Sequence, residues 1–284
     1  MTRNLPASIQ ARLLLVARKR GEEFQRTLTS YAVERFLYRL SCLPTRDTLW
    51  LKGARLFDLW FESPQRATAD VDFLGFGASD IPAVREAIEA ICRQEAEDGV
   101  SFDPDTLTVE PIREEARYGG LRARLVGRLG AMRCPIQLDI GFGDAVTPGP
   151  EEAEYPTLLH DMPAPRLKVY PKATVMAEKL EAVIQLGMAN SRMKDFFDLR
   201  VLVRDGDVND AELARAIRAT FERRGTRIPD NVPIGLADEF SQDPQKLAQW
   251  AAFLRRNRLP MIPLDEVIVE IREALLGPLR EATN

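Results

Sequence analysis

The sequence predicts an α/β (α+β) protein: a mixed sheet with helices, followed by an all-helical C-terminal domain. Three observations carry that reading. Short apolar runs closed by glycine alternate with helical patterns over the first half of the chain. From Pro171 onward the apolar patterns have helical periodicity. Between the halves, the stretch 147–171 is rich in proline and glutamate and reads as a boundary. The expected organisation is a core over residues 1–165, opened by two helices, and a helical domain over residues 166–284.

Ser8 is placed to cap a first helix through IQARLLLVARKR, and after Gly21 a second helix runs through EEFQRTLTSYAVERFLYRL until Pro44 stops it. DTLWLKG reads as a strand meeting a glycine turn, ARLFDLWF as a short helix, and ADVDFLGFG as a strand closed by glycines. SDIPAVREAIEAICRQEAED follows as a helix capped near Ser79 or Asp80, and TLTVEPI, LRARLVGRL and CPIQLDIGFG as three further strands. The second half gives helices through KATVMAEKLEAVIQLG, MKDFFDLRVLVRD, DAELARAIRATFERRG, PQKLAQWAAFLRRN and LDEVIVEIREALLG.

Composition excludes several function classes. With 284 residues, 45% hydrophobic and 29% charged, the chain can bury a substantial core and is not disordered as a whole. No apolar run approaches the roughly 20 residues of a membrane span, and the start lacks the segments of a signal peptide, so a cytoplasmic protein with no membrane partner is expected. Cys42, Cys92 and Cys134 are far apart and read as core thiols rather than a disulfide framework or a zinc site. The single histidine, His160, reads as a loop residue and excludes a His cluster, so chemistry must run on carboxylates, lysines and arginines. The net charge of -4 gives no bulk reason to expect nucleic acid, although arginine greatly outnumbers lysine and favours forked contacts to phosphate.

In ADVDFLGF, strand alternation puts Asp70 and Asp72 on one face and Val71 and Phe73 on the other. Adjacent carboxylates repel unless a cation lies between them, so the pair invites Mg²⁺ bridged to a phosphate; a solvated strand face is the alternative. In PIQLDIGF, Ile136, Leu138 and Ile140 form an apolar face, and Asp139 points away from it with Gln137. If the two strands are neighbours, three carboxylates converge as two-metal phosphoryl or nucleotidyl transfer requires. In LKGAR, Gly53 would let the backbone approach a phosphate, unless this is an ordinary strand-to-helix turn.

In the helical half, Lys179 stands beside Glu178 and Glu181 and reads as a surface lysine unless a ligand uses it. The segment NSRMKDFFDLRVL holds Asn190, Arg192, Lys194, Asp195 and Asp198, and helical spacing allows Lys194, Asp195 and Asp198 to lie along one face. Thr68 would sit at the edge of the acid pair, where phosphorylation would add roughly -2 charge. Arg122, Arg124, Arg128 and Arg133, and in the second half Arg223, Arg224, Arg227 and the LRRNR run, would face a polyanion or form solvated faces.

Taken in order, LKGARLFDLWF, RATADVDF, IQLDIGFG, AEKLEAVIQLG and NSRMKDFFDL resemble the motif series of the AbiEii/AbiGii (MenT-type) nucleotidyltransferase-like toxins, over about residues 31–202. The resemblance implies a nucleotidyltransferase-like core followed by a helical domain that contributes nucleotide-binding residues. It implies transfer of a nucleotide from an NTP to an RNA acceptor, foremost the tRNA 3′ end, with Mg²⁺ as cofactor and a separately encoded antitoxin as partner. By the same resemblance Asp70, Asp72 and Asp139 hold the metal, and Lys179 and Asp195 join them as catalytic residues. Lys52, Gly53, Ala54, Arg66, Thr68, Lys179, Arg192, Lys194 and Asp198 form the nucleotide-binding set, and Thr68 matches a Ser or Thr that certain members have phosphorylated by a kinase antitoxin.

One departure stands out. The family's turn carries a second glycine and then Ser or Thr, whereas Ala54 and Arg55 follow Gly53 here, so a hydroxyl donor to phosphate is missing. Backbone N–H groups or Arg55 would have to replace it. Two rival readings stand beside it: the same site acting on a protein or small-molecule hydroxyl, and a catalytically silent nucleotide-binding protein.

Overall fold

The structure is a computed structural model that describes residues 4–62, 65–66, 68, 70–112 and 119–283. It opens with α1 (Leu5–Arg20) and α2 (Phe24–Ser41). Asn4, not Ser8, caps α1: its side-chain oxygen accepts from the Ala7 N–H at 3.3 Å, and Pro6 lies in the first turn. Proline has no N–H to lose and its fixed φ suits a first helical turn, so the helix begins ahead of the serine.

The strands are β1 (Leu49–Lys52), β2 (Asp70–Gly75), β3 (Val100–Pro111), β4 (Gly120–Leu129), β5 (Met132–Phe142), β6 (Glu151–Glu154) and β7 (Arg166–Val169). A 3-10 turn over Gly53–Arg55 leads into the short helix α3 (Leu56–Trp60), and α4 (Ile81–Arg93) is capped by Asp80, which accepts from the Ala83 N–H at 2.9 Å. The strands form one sheet in the order β3-β4-β5-β2-β1-β7-β6, with β2–β5 and β1–β7 parallel and the other pairs antiparallel.

Three strands differ from the sequence reading. Strand β3 begins at Val100 rather than Thr106 and passes Pro104 with a register shift between Asp103 and Thr108. The turn-forming Asp103, Pro104 and Asp105 hid this bulge. Strands β6 and β7 lie inside the stretch read as a boundary: β6, EEAE, has no apolar face, and β7, RLKV, alternates over only four residues. Arg166–Val169, assigned from sequence to the helical domain, pairs instead with β1 and β6, and its Leu167 and Val169 are buried.

The remaining helices are α5 (Lys172–Leu186), α6 (Met193–Asp205), α7 (Asp210–Arg224), α8 (Asp238–Gln242), α9 (Pro244–Asn257) and α10 (Leu264–Glu281). The chain divides into two compact units: the first comprises Met1–Pro64, Thr68–Gly143 and Glu151–Val169, and the second Gln65–Ala67, Asp144–Pro150 and Tyr170–Asn284.

In the first unit, one sheet face is apolar. Val71 and Phe73 of β2, Ala123 and Leu125 of β4, and Ile136, Leu138 and Ile140 of β5 are all buried, as are Phe36 and Leu37 of α2 and Val84, Ile88 and Ile91 of α4. Phe36 meets Phe102 edge-on with ring centroids 5.6 Å apart. Side chains alternate along each strand, so the opposite face receives Lys52, Asp70, Asp72, Arg122, Arg124, Gln137 and Asp139. In the second unit α5 packs on α6 and α7, and α10 on both of the latter; Phe196 of α6 stacks on Phe240 at 4.9 Å. Among the described residues no helix is long and apolar enough to cross a membrane.

Candidate active site

Strand register puts the three acids read from the sequence on one face of the first unit's sheet, although their carboxylates do not converge into a three-acid cluster. Strands β2 and β5 are parallel neighbours, with Asp72 the register partner of Asp139 and Asp70 the partner of Gln137. Each is half-buried on the open face. Gln137 donates to Asp70 Oδ1 at 2.9 Å and accepts from Arg124 Nε at 3.1 Å, so one oxygen of Asp70 is oriented by its neighbour strand. Arg122, opposite Asp139 on β4, grips both of its oxygens at 2.8 and 2.6 Å. Such a fork is strong and geometrically specific. Among the described residues no three His, Cys, Asp or Glu side chains converge closely enough to hold a metal ion by themselves.

The glycine turn belongs to this group. Lys52 is the register partner of Asp72 across the antiparallel β1–β2 pair, and Gly53 follows with φ +73. A Cβ on Gly53 would lie 2.1 Å from Asp72 Oδ2, so the absent side chain makes room for the carboxylate as well as for a strained turn. Ala54 lies half-buried in the 3-10 turn. Arg55 does not replace the missing hydroxyl: it is buried, with Nη1 3.4 Å from Asp58 Oδ2 and 3.5 Å from Ser30 Oγ. Asp58 also accepts from the Tyr155 hydroxyl at 2.8 Å. Arg55 therefore serves the interior, because the helical turn after Gly53 rotates it away from the sheet's open face. Thr68 is half-buried, its hydroxyl 3.5 Å from the Asp70 carbonyl.

The second unit holds a separate cluster. Lys179 Nζ donates to Asp195 Oδ1 at 3.0 Å and to Asp198 Oδ2 at 2.7 Å. Arg66 forks onto Asp198 at 2.7 and 2.8 Å, and Arg192 Nε lies 2.8 Å from Asp195 Oδ2. Both carboxylates are fully buried, while Lys179 and Arg66 reach the surface only slightly. Burial opposes charge on Lys179, but Asp195 and Asp198 outweigh it and its pKa is raised; burial likewise opposes charge on Asp195, yet Lys179 and Arg192 lower its pKa.

Lys194 does not join Asp195 and Asp198, contrary to the sequence expectation. It is exposed near the start of α6 and pairs with neither acid, and the ammonium between the acids is that of Lys179 from α5. Some members of the arginine sets read from the sequence are ion-paired within the protein. Arg122 faces Asp139 rather than a free polyanion, and Arg224 is held by Glu181 at 2.8 Å, Glu178 at 3.3 Å and Asp144 at 3.6 Å. Arg227 pairs with Asp230 at 2.7 Å.

Sequence reasoning missed Lys246. It is buried in α9, above the Phe240 ring at 5.4 Å, and donates to the carbonyl of the buried Asn190 at 2.9 Å. The Asn190 side chain in turn accepts from the Arg192 N–H at 2.8 Å, which fixes the turn entering α6. No local pattern marks such a lysine, because its partner is a backbone carbonyl distant in sequence.

A family model described as the nucleotidyl transferase AbiEii toxin of Type IV toxin–antitoxin systems matches residues 35–268. Among solved structures, JHP933 from Helicobacter pylori is similar with a TM-score of 0.53 and 14% identity, covering 92% of this chain and 94% of that one. A second Helicobacter pylori structure, assigned as a nucleotidyltransferase, gives a TM-score of 0.52 and 14% identity over 92% of this chain and 97% of that one. At such identities the likeness is one of fold. No curated protein sequence matches the chain significantly.

Proposed function

The chain belongs to the AbiEii family of nucleotidyltransferase toxins of Type IV toxin–antitoxin systems, and we propose that it transfers a nucleoside monophosphate from an NTP to an RNA acceptor, foremost the tRNA 3′ end. The observation that carries this reading is the register of Asp72 against Asp139 on the open sheet face, with Asp70 on the same face of β2. A cognate antitoxin follows from membership of such a system.

The donors fit Mg²⁺. Asp70 and Asp72 offer hard carboxylate oxygens from one strand face, and Mg²⁺ commonly takes one or two carboxylates and fills its shell with water and substrate phosphate. Asp70 and Asp72 would hold the ion, which when bound neutralises phosphate charge and polarises the P–O bonds. Within the chain, Gln137 orients Asp70 and Gly53 leaves space for Asp72. Asp139 adds a third negative charge that Arg122 balances. This set aligns an acceptor hydroxyl against the α-phosphate, which converts a bimolecular encounter into a positioned one.

In the second unit, Lys179 with Arg66 and Arg192 is the group proposed to hold the triphosphate. Three cations against Asp195 and Asp198 leave the cluster net positive, and Lys179 spends two of its three N–H donors on those acids. Ala54 supplies a backbone N–H where a hydroxyl is absent.

The test is incubation of the protein with Mg²⁺, total tRNA and each labelled NTP in turn, with Asp70→Ala as control. Label on tRNA that is absent with Asp70→Ala supports the reading and identifies the nucleotide. No transfer to tRNA with any NTP overturns the choice of acceptor.

A further inference from the structure

We propose that Arg128 and Arg133, facing each other near the β4–β5 hairpin end of the open sheet face, form a phosphate site that holds the backbone of the RNA acceptor upstream of its reacting 3′ end. The proposal rests on the RNA-transfer reading above.

Strand alternation aligns Arg122, Arg124 and Arg128 in one row on β4. The first two have counter-charges within the sheet: Arg122 holds Asp139, and Arg124 pairs with Glu110. The third does not. Arg128 is the register partner of Arg133 on β5, so two like charges stand directly opposite each other. Neither guanidinium makes a hydrogen bond or ion pair with the described residues, and Arg133 is exposed while Arg128 is half-exposed.

Like charges directly opposite on a sheet cost stability. The nearest acid on β3, Asp103, pairs in register with Val126 rather than Arg128, and its Oδ1 accepts from the Asp105 N–H at 3.1 Å. Ser101, which lies opposite Arg128, carries no charge. An anion from outside the sheet is what would relieve the pair, and two planar forks match phosphate oxygens.

The spacing sets which part of the acceptor reaches them. Arg133 precedes Asp139 on the same strand and the same face, and six residues of strand span roughly 20 Å. A stacked strand advances ~3.4 Å per nucleotide, so the arginines meet the backbone about six nucleotides upstream of the 3′ end. Charge contacts there position the strand and read no sequence.

The experiment uses the full chain and 3′-hydroxyl RNAs of about four and about twelve nucleotides, labelled with fluorescein at the 5′ end, and follows anisotropy as salt is raised. R128Q/R133Q is expected to bind the longer RNA on the order of tenfold more weakly, with a salt slope smaller by about 1.4, while the shorter RNA is unaffected. R128K/R133K keeps most of the affinity, and stabilisation by Mg²⁺ and NTP is the same in all three proteins. Unchanged affinity and slope in R128Q/R133Q would overturn the site, as would equal weakening for both RNA lengths or no preference of the wild type for the longer RNA. Displacement of the longer RNA by polyglutamate equally well at matched charge would overturn it in favour of an acidic protein. The transfer assay separates the two levels. Label on tRNA at an unchanged KM with R128Q/R133Q removes this site and leaves the transfer reading intact, whereas no label with the wild type removes the transfer reading itself.

Discussion

The Cβ that Gly53 lacks would stand 2.1 Å from Oδ2 of Asp72, so the turn after β1 and the second acid of β2 occupy space that only glycine leaves open. Gly53→Ala therefore meets two costs: a positive φ that side chains rarely adopt and an overlap with the carboxylate. We expect a loss of roughly 1–2 kcal/mol of stability and a fall in transfer larger than that loss explains, because Asp72 must turn away. Thermal melting and transfer measured well below the melting point test this. Full transfer by Gly53→Ala would show that the position of Asp72 does not depend on the turn.

Asp70→Ala is expected to abolish transfer, by about a thousandfold or more, while leaving the fold in place. Asp70 is half-buried on the open face beside another acid, so its removal opens no core cavity and relieves repulsion. A melting temperature within a few degrees of wild type, with transfer gone, is the expected pair of readouts; transfer at the wild-type rate would remove Asp70 from the site.

Much of the acid site was legible because strand alternation is local: two acids two residues apart must share a face, and Asp139 must oppose its apolar neighbours. That β2 and β5 are adjacent is a matter of sheet order, and only the motif order suggested it. Lys179 was legible as part of a motif but not as the centre of a buried cluster, since its partners come from α6 and from Arg66. Lys194 misled because helical spacing says which residues share a side and not how deeply each is buried. Strand β6 escaped because EEAE has no apolar face, and β7 because an alternation of only four residues does not stand out in a stretch rich in proline and glutamate. The fate of Arg55 was equally hidden, since burial of an arginine depends on Asp58 and Ser30 folding around it.

Lys179→Met leaves the buried Asp195 with Arg192 as its remaining cation, while Arg66 still holds Asp198. Removing one partner of a buried pair costs about 3–5 kcal/mol when the other charge is left alone, and with Arg192 still beside Asp195 the loss falls below that range. Adding Asp195→Asn to Lys179→Met should therefore restore part of the stability without restoring transfer. Urea unfolding of the single and double variants measures the coupling. Strictly additive losses would mean that Lys179 and Asp195 do not stabilise each other.

Glu34 gives a pH dependence of defined sign. Its carboxyl is pushed up to about 7, foremost by burial, against the opposing pull of Arg35 at 2.6 Å and the Leu158 N–H at 2.6 Å. Because its ordinary value is 4.5, the folded state binds the proton more tightly than the unfolded chain does. The group's contribution is thus full below about pH 4.5 and is lost as the pH rises through about 7, amounting to about 3 kcal/mol at most. Glu34→Gln stays neutral throughout and still accepts from the Leu158 N–H, so it carries a constant cost at Arg35 and lacks this slope. Urea unfolding of both proteins at about pH 5 and about pH 8 reads the difference directly: the gap between wild type and Glu34→Gln should shift in favour of the variant as the pH rises. Parallel profiles would mean that Glu34 is ionised in the folded state across the whole range and that Arg35 compensates its burial.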